Sequence, residues 1–232
     1  MYVSPKIFGG TVSESRDQVF GELAVVGKAF ASARRLEIIE LLAQSEHSVD
    51  EIVKATGQGL SSVSAHLQIL RGANLVRVRR MGTRQIYRLT DHDVAELHAA
   101  LGAVAKRHSP DVKFALESYL GSGGLEVDEV SRAELLDLMR REDIALLDVR
   151  PHGEYSSGHI AGAISMPLEE VNERLGDIDP AVRIVTYCRG AYCVMAHDAV
   201  TLIHAMGREA VRLQDGMLEW RLAGLPVAVG HR

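Results

Sequence analysis

Cysteine is scarce in this sequence, because its 232 residues include only Cys188 and Cys193, five positions apart. One close pair cannot build the disulfide framework of a small secreted domain. It also supplies too few ligands for a structural zinc site unless histidines join it. Two thiols this close favour a reactive or redox role, although inert buried cysteines are also common.

Long apolar runs are absent as well. No stretch approaches the roughly 20 residues that a membrane-spanning helix needs. Residues 1–10 lack the charged-then-apolar pattern of a secretory signal. With 47% hydrophobic and 25% charged residues, the composition is that of an ordinary globular protein. We therefore expect a cytoplasmic protein with no membrane partner.

Acidic residues are missing from residues 71–88, a segment that contains six arginines. The net charge of −5 is also divided unevenly along the chain. Residues 1–110 hold 14 Lys and Arg against 11 Asp and Glu, whereas residues 111–232 hold 12 against 20. This asymmetry predicts two units with different partners.

A helix-turn-helix pattern lies in the first half of the chain. An amphipathic helical pattern begins at Lys28. Ser48 and Glu51 then form a capping-box sequence, which predicts a short helix over 49–55. A second helix, from Leu60, turns a small polar face outward, made of Ser61, Ser62, Ser64, His66 and Gln68. Two short helices joined by a glycine turn are typical of DNA-binding proteins.

A basic β-hairpin follows, with strands over 75–80 and 84–89, and Thr90-Asp91 then caps a last helix. Small polar side chains on a helix can touch base edges in the major groove, and arginines on a hairpin bind phosphates. The alternative is a three-helix core with a solvated basic ribbon, but the position of the hairpin favours DNA. The predicted DNA contacts are Ser61, Ser62, Ser64, His66, Gln68, Arg71, Arg79, Arg80 and Arg84.

These segments resemble the ArsR-type winged-helix repressors over about residues 20–107. The resemblance is carried by residues 28–42, 48–53, 63–70, 75–77 and 82–89. It implies a homodimer, paired mainly through its first and last helices, on a palindromic operator in double-stranded DNA. Gly59 replaces the usual hydroxyl cap of the second helix, and Ala65 replaces a longer side chain, so the resemblance predicts no base preference.

Metal sensing by this first domain is not expected. Members of the family that sense metals or persulfides through this domain use cysteines or an Asp/His set on the last helix. Residues 1–110 contain no cysteine, and the ligand positions that would follow Asp93 are Val104 and Arg107. We interpret Asp91, His92, Asp93, His98 and His108 as caps and surface histidines, and we predict no metal and no cofactor.

The second half reads as an α/β domain over 128–232, behind a linker over 111–127 that contains Gly-Ser-Gly-Gly. Ser131 and Glu134 predict a second capping box. Short apolar runs at 144–149, 181–187 and 210–213 alternate with amphipathic helices, which predicts a doubly wound parallel sheet. The predicted architecture is therefore two domains, with a mainly-α winged helix-turn-helix at 1–110 followed by this sheet.

Cys188 follows the second of these strands and precedes a predicted helix over 194–206. Free amides at a helix N-terminus, the helix dipole and Arg189 all favour a thiolate. We therefore expect Cys188 to be more readily ionised than a free cysteine, and to lie open at the strand end rather than pack in the core.

The surroundings of Cys188 resemble the rhodanese domain over about residues 128–229. The motifs are Leu146–Pro151 with Gly158–Pro167, Val185–Gly190, and Gln214–Val227, where Asp215 stands at a usual glycine. The resemblance implies that Cys188 carries a sulfane sulfur as a persulfide and passes it to a thiol acceptor. A phosphatase or arsenate reductase of the Cys-x5-Arg type needs an arginine where Val194 stands. The sulfurtransferase loop is then Cys188, Arg189, Gly190, Ala191, Tyr192 and Cys193.

Four residues of the first motif are interpreted as supports. We expect Arg150 and Glu154 to pair, and Asp148 and His159 to satisfy buried backbone groups. Cys193 has two possible roles, either attacking the Cys188 persulfide or capping the loop. Two functions follow: a transcription regulator in which reactive sulfur at Cys188 adjusts operator binding, or a sulfurtransferase in which the winged helix is mainly a dimerising module.

Overall fold

The computed structural model describes residues 12–121, 127–141 and 144–230. Within these ranges the chain forms two domains, one mainly helical and one built on a parallel sheet. No helix among these residues is both long and apolar enough to cross a lipid bilayer.

The first domain is a winged helix-turn-helix. Its elements are α1 (Val12–Phe30), α2 (Ala33–Leu42), β1 (His47–Ser48), α3 (Val49–Thr56), α4 (Leu60–Gly72), β2 (Val76–Met81), β3 (Arg84–Leu89) and α5 (His92–His108). The three strands form an antiparallel sheet in the order β1-β3-β2. The core lies among α2, α3, α4 and the sheet, and includes Ile38, Ile52, Leu67 and Leu70.

Local sequence signals account for most of these boundaries. Ser48 Oγ accepts from the Glu51 amide at 3.3 Å while Glu51 accepts from the Ser48 amide at 2.7 Å, so the predicted capping box is present. Gly57 ends α3 with a φ of 64°, a left-handed conformation that favours glycine. Asp91 accepts from the His92 amide and caps α5.

The pattern that began at Lys28 is broken into two helices rather than one. The backbone at Ser32 is extended, with φ −160° and ψ 123°. Arg35 donates to the carbonyl oxygens of Ala29 at 2.6 Å and Lys28 at 2.7 Å, which satisfies the last turn of α1. Apolar periodicity runs through both helices, and therefore could not reveal the break.

The predicted linker over 111–127 is helical for most of its described length. Helix α6 spans Pro110–Gly121 and contacts α5. Pro110 is tolerated at its first position, where a backbone N–H has no partner within the helix. The Gly-Ser-Gly-Gly part of the predicted linker lies mostly outside the described residues.

The second domain is a doubly wound parallel sheet. Its elements are β4 (Glu129–Val130), α7 (Arg132–Arg141), β5 (Ile144–Asp148), α8 (His152–Ser157), β6 (His159–Ile160), β7 (Ile164–Ser165), a 3-10 turn (Leu168–Glu170), α9 (Val171–Arg174), a 3-10 turn (Leu175–Asp177), β8 (Arg183–Tyr187), α10 (Met195–Ala205), β9 (Ala210–Leu213), α11 (Met217–Leu222) and β10 (Val227–Ala228). The parallel order is β4-β9-β8-β5-β7, and β6 pairs antiparallel with β10. The three predicted strands are β5, β8 and β9.

Both faces of this sheet are covered, as a parallel sheet requires. Alternate residues of β5 enter different cores: Leu147 packs with α10 on one face, and Leu146 packs with Trp220 on the other. The carboxyl ends of β5 and β8 lie side by side, with Asp148 opposite Tyr187. This edge holds the candidate site.

Candidate functional site

Cys188 directly follows β8, as predicted, but its side chain is buried. It is 2% exposed and packs in the core cluster that includes Leu147 and Ala196, on the α10 side of the sheet. The expectation of an open cysteine was therefore wrong for this arrangement of the chain. The loop after Cys188 folds back over the strand end, which strand position alone does not reveal.

The protonation of Cys188 also differs from the expectation. Burial raises the pKa of the Cys188 thiol well above its usual range, and the neighbouring Cys193 raises it further. The Ala196 amide favours the thiolate but does not overcome these effects. Arg189 supplies no nearby compensation, since it points to Glu154, and the thiol contacts the Cys193 carbonyl oxygen at 3.2 Å instead.

Cys193 is the second thiol of this loop and is 9% exposed. A hydrogen bond from Cys188 lowers the pKa of Cys193, against the opposing effect of burial. Of the two thiols, Cys193 is therefore the one favoured as thiolate in this arrangement. The two residues stand at opposite ends of a six-residue loop, and the Cys188 thiol contacts the Cys193 carbonyl oxygen.

The start of α11 contacts the loop and stabilises it. Glu219 accepts from the Gly216 amide at 2.9 Å and from the Ala191 amide at 3.4 Å. Gly216 permits a very close approach, because a Cβ there would meet the Gly190 backbone at 2.3 Å. Asp215, which departs from the usual glycine, pairs with Arg132 at 3.1 Å.

Arg150 and Glu154 do not pair with each other, which corrects the prediction. Arg150 is fully buried and forms a bidentate pair with Asp148, with Nε to Oδ1 at 2.9 Å and Nη2 to Oδ2 at 2.5 Å. Asp148 also accepts from the Tyr187 hydroxyl at 2.6 Å and from the Arg150 amide, as expected of it. The carboxylate thereby fixes the ends of β5 and β8 together.

Glu154 pairs instead with Arg189 of the loop. Its carboxylate accepts hydrogen bonds from Arg189 Nη2 at 2.6 Å and from Arg189 Nε at 3.0 Å. His159 contacts the Tyr155 carbonyl oxygen at 2.9 Å and stacks on the Tyr155 ring, so its predicted structural role agrees with its contacts. The first motif therefore braces the loop through Glu154 rather than through Arg150.

The winged-helix domain contacts this site directly. Gln44, just after α2, accepts from Arg150 Nη1 at 3.1 Å and donates to the Arg189 carbonyl oxygen at 3.3 Å. Arg221 of α11 donates to the carbonyl oxygens of Ala43 and Gln44, both at 2.9 Å. A cation at the carboxyl end of α2 also suits the helix dipole.

Two further contacts join the loop to the winged-helix domain. Glu40 lies over Gly190, where a Cβ would be 3.6 Å from Glu40 Oε1. Burial raises the pKa of Glu40 to about 7, Arg189 lowers it, and Glu219 and Glu154 raise it. Tyr192 lies against α5 so closely that a Cβ on Gly102 would meet its ring at 2.8 Å.

A cleft of about 400 Å³ lies between the domains beside the loop. It is lined by His47 and Lys54 on the winged-helix side and by Gly153, Glu154 and Arg189 on the other. Neither Cys188 nor Cys193 belongs to its lining. The paired side chains of Glu154 and Arg189 form part of the cleft's lining.

The predicted DNA-binding side chains mostly lie on one exposed surface. Ser61, Ser62, Ser64, Gln68 and Arg71 are exposed on α4. His66 differs from the prediction, since it is partly buried and its Nδ1 has no partner.

The three hairpin arginines predicted to contact DNA are exposed, but two of them form contacts within the domain. Arg79 Nη2 pairs with Glu46 at 2.6 Å, and Arg80 donates to the Gly82 carbonyl oxygen at the turn. Arg84 is exposed beside them. The hairpin turns at Gly82, with a φ of 60° that suits glycine.

The Asp/His set of α5 agrees only in part with its interpretation. Asp91 and His92 form an exposed pair at the cap of α5, at 2.8 Å. His98 is not a surface histidine, because it is partly buried, its Nδ1 has no partner, and burial lowers its pKa.

Comparison with known proteins agrees with this architecture. The family of bacterial regulatory proteins of the arsR type matches residues 32–78, and the rhodanese-like domain matches residues 131–223. The HTH-type transcriptional regulator Rv0324 of Mycobacterium tuberculosis is 50% identical over 223 residues, which are 94% of this chain and 97% of that protein. The chain is an ArsR-family transcriptional regulator with a rhodanese-like domain.

Relatives of the separate domains are also found. The regulator is 28% identical over 102 residues to a sulfurtransferase of Allochromatium vinosum, covering 44% of this chain and 92% of that protein. It is 43% identical to the homodimeric winged helix-turn-helix DNA-binding domain of Mycobacterium bovis, solved by NMR. That match covers 45% of this chain and 95% of that chain, with a TM-score of 0.40.

The sequence did not indicate several residues of the regulator's site. Glu219 had a usable signal, because a glutamate three residues after Gly216 is typical of a helix start. No sequence signal marked Gln44, Glu40 or Arg221, because their contacts join distant parts of the chain. Tyr187 had only its position at a strand end beside Cys188.

Proposed function

We propose that Cys188 of the regulator carries a sulfane sulfur and that loading of this sulfur changes operator binding. The supporting observation is the position of the Cys188 loop, which follows β8 of the rhodanese-like sheet and contacts α2 of the winged helix through Gln44. A thiol elsewhere in the sheet would have no such route to the DNA-binding domain.

The proposed chemistry is a transfer without net oxidation. The Cys188 thiolate attacks the outer sulfur of thiosulfate or of a persulfide donor, a sulfur–sulfur bond forms, and sulfite or the donor thiolate leaves. An acceptor thiolate later attacks the outer sulfur and releases the Cys188 thiolate. The Ala196 amide, at the start of α10, would help to hold the anionic persulfide.

We further propose that the regulator binds a palindromic operator as a homodimer. The related Mycobacterium bovis domain is described as homodimeric. Large apolar side chains are exposed on α1 and α5, the helices expected to pair: Val19, Phe20, Leu23, Leu97, Leu101 and Val104. The exposed polar face of α4 would then contact bases, and Arg71 and Arg84 would contact phosphates.

Operator affinity before and after sulfur loading tests the coupling. The DNA is chosen by repeated selection from a random duplex pool, and the regulator is treated with thiosulfate beside a Cys188→Ser control. We expect affinity to change for the regulator alone. Unchanged affinity would remove the coupling and favour the sulfurtransferase alternative, which the relation to the Allochromatium vinosum enzyme supports. Failure to select any sequence at low salt would remove operator binding itself.

A further inference from the structure

Gln44 uses every polar atom of its side chain at the boundary between the domains. It is 2% exposed, and its Oε1 accepts from Arg150 Nη1 at 3.1 Å. Its Nε2 donates to the Arg189 carbonyl oxygen and to the Glu40 carbonyl oxygen, both at 3.3 Å. A glutamine is therefore tied at once to its own helix, to the buried ion pair and to the catalytic loop.

The backbone at the same position is bound as well. Arg221 reaches across from α11 and donates to the Ala43 and Gln44 carbonyl oxygens. Carbonyl groups at a helix end have no partner within the helix, so a cation from the other domain satisfies them. The end of α2 and the Cys188 loop thus form one contact that is polar, buried and specific.

This contact coincides with closure of the loop. Cys188 is 2% exposed, and the cleft beside Arg189 does not reach it. Glu40 lies over Gly190, and Tyr192 is pressed against Gly102 of α5. The winged-helix domain therefore covers Gly190 and Tyr192 of the loop that carries Cys188.

The closed loop also has no favourable place for a loaded sulfur. A persulfide on Cys188 adds one sulfur atom and a negative charge to a packed site. The Glu219 carboxylate of the same domain already lies at the loop and accepts from the Ala191 amide, and docking adds the Glu40 carboxylate beside Gly190. Like charges this close disfavour one another in a buried site.

We propose that Gln44 is a positioning residue by which the winged-helix domain holds the Cys188 loop closed, so that docking of the two domains and sulfur loading exclude one another. The proposal rests on the function proposed above, because it supplies the route by which sulfur at Cys188 would affect α2. Loading favours the undocked form, and DNA that favours the docked form makes loading less favourable at equilibrium by the same factor.

Alkylation of Cys188 by iodoacetamide tests this closure without DNA or sulfur. Trypsin separates the two thiols, because Cys188 falls in the peptide 184–189 and Cys193 in the peptide 190–208. The rate is measured by mass spectrometry on the full chain, for the regulator, Gln44→Ala and Arg221→Gln. The matched controls are Gln85→Ala on the wing and Arg140→Gln on the surface of α7.

We expect Gln44→Ala and Arg221→Gln to accelerate Cys188 alkylation about tenfold or more, since each removes buried hydrogen bonds between the domains. The controls should match the regulator. Parting of the domains exposes less surface than global unfolding does, so the accelerated rate should depend less steeply on added urea than a rate that requires global unfolding.

If both variants are folded and their Cys188 alkylation rates equal that of the regulator, the proposal is overturned. It is also overturned if both rates increase but show the steep urea dependence of global unfolding. If the alkylation rate is unchanged while sulfur loading still shifts operator affinity, Gln44 does not hold the loop closed and the proposed function stands. If alkylation accelerates while operator affinity ignores sulfur, the closure stands and the proposed coupling is lost.

Discussion

Gln44 Oε1 lies 3.1 Å from Nη1 of Arg150, and the two residues are 106 positions apart in the chain. Arg150 is itself fixed by Asp148, whose carboxylate also receives the Tyr187 hydroxyl. The end of α2 is thereby linked to the ends of β5 and β8. A chain of buried hydrogen bonds therefore joins the winged-helix domain to the strand end that Cys188 follows.

The Asp148–Arg150 pair should be essential to the second domain. Both side chains are fully buried, so Asp148→Ala leaves an uncompensated guanidinium and should cost about 3–5 kcal/mol of unfolding free energy. Asp137→Ala is the control, because Asp137 pairs with Arg140 and Arg141 at an exposed site. Urea unfolding should show an effect of about 1 kcal/mol or less there. Equal losses in the two variants would contradict the assigned role.

Glu40 should make the docked arrangement sensitive to pH. Its pKa is about 7 in the folded chain, above the ordinary value, with Arg189, Glu219, Glu154 and Glu37 as its charged neighbours. The folded state then binds more protons between the two values, so stability falls as pH rises through this window and the loss is complete above about pH 7.

The measurement compares Glu40→Gln with the unchanged regulator in urea at pH 5 and pH 8. The variant should gain up to about 3 kcal/mol relative to the regulator on going to the higher pH, because it has no carboxylate to ionise. A difference between the proteins that does not vary with pH would show that Glu40 is ionised throughout.

Cys193 should act on a persulfide formed at Cys188. The Cys193 thiolate attacks the inner sulfur, the sulfur–sulfur bond of the persulfide breaks, and hydrosulfide leaves as a Cys188–Cys193 disulfide forms. After thiosulfate loading, the regulator should release sulfide and lose the added sulfur. Cys193→Ser should keep it, as intact-protein mass spectrometry would show. Equal persulfide lifetimes in the two proteins would leave Cys193 as a loop cap.

Arg84 should contribute to DNA binding through phosphate contact. Arg84→Ala should weaken binding across DNA sequences and reduce the slope of log affinity against log salt by about 0.9. Arg140→Ala, an exposed arginine of α7, serves as the control and should leave the slope unchanged. An unchanged slope for Arg84→Ala would place the hairpin away from the DNA backbone.

The sequence was informative wherever a short segment decides its own structure. The capping boxes at Ser48 and Ser131, the hairpin turn at Gly82 and the strand before Cys188 all follow from neighbouring residues. The break at Ser32 was missed, because the apolar periodicity of α1 continues into α2.

The state of the site depends on distant residues and was predicted less well. Strand position indicated an open, ionised Cys188, but the thiol is buried in the core of its own domain, among side chains of β5, α9 and α10. Glu154 pairs with Arg189 rather than with Arg150, because the Arg150 guanidinium is already paired with Asp148, two residues earlier at the end of β5. No local pattern marks Gln44 as the residue that joins the domains.

The central claim is that sulfur on Cys188 changes DNA binding. Its most direct test is the dissociation constant for a selected operator duplex at fixed salt, measured before and after thiosulfate loading, for the regulator and for Cys188→Ser. The account predicts a change in the regulator that reverses when a thiol removes the sulfur, and none in the variant. Equal dissociation constants for the treated and untreated regulator, with the added sulfur or a Cys188–Cys193 disulfide confirmed by mass, would contradict it.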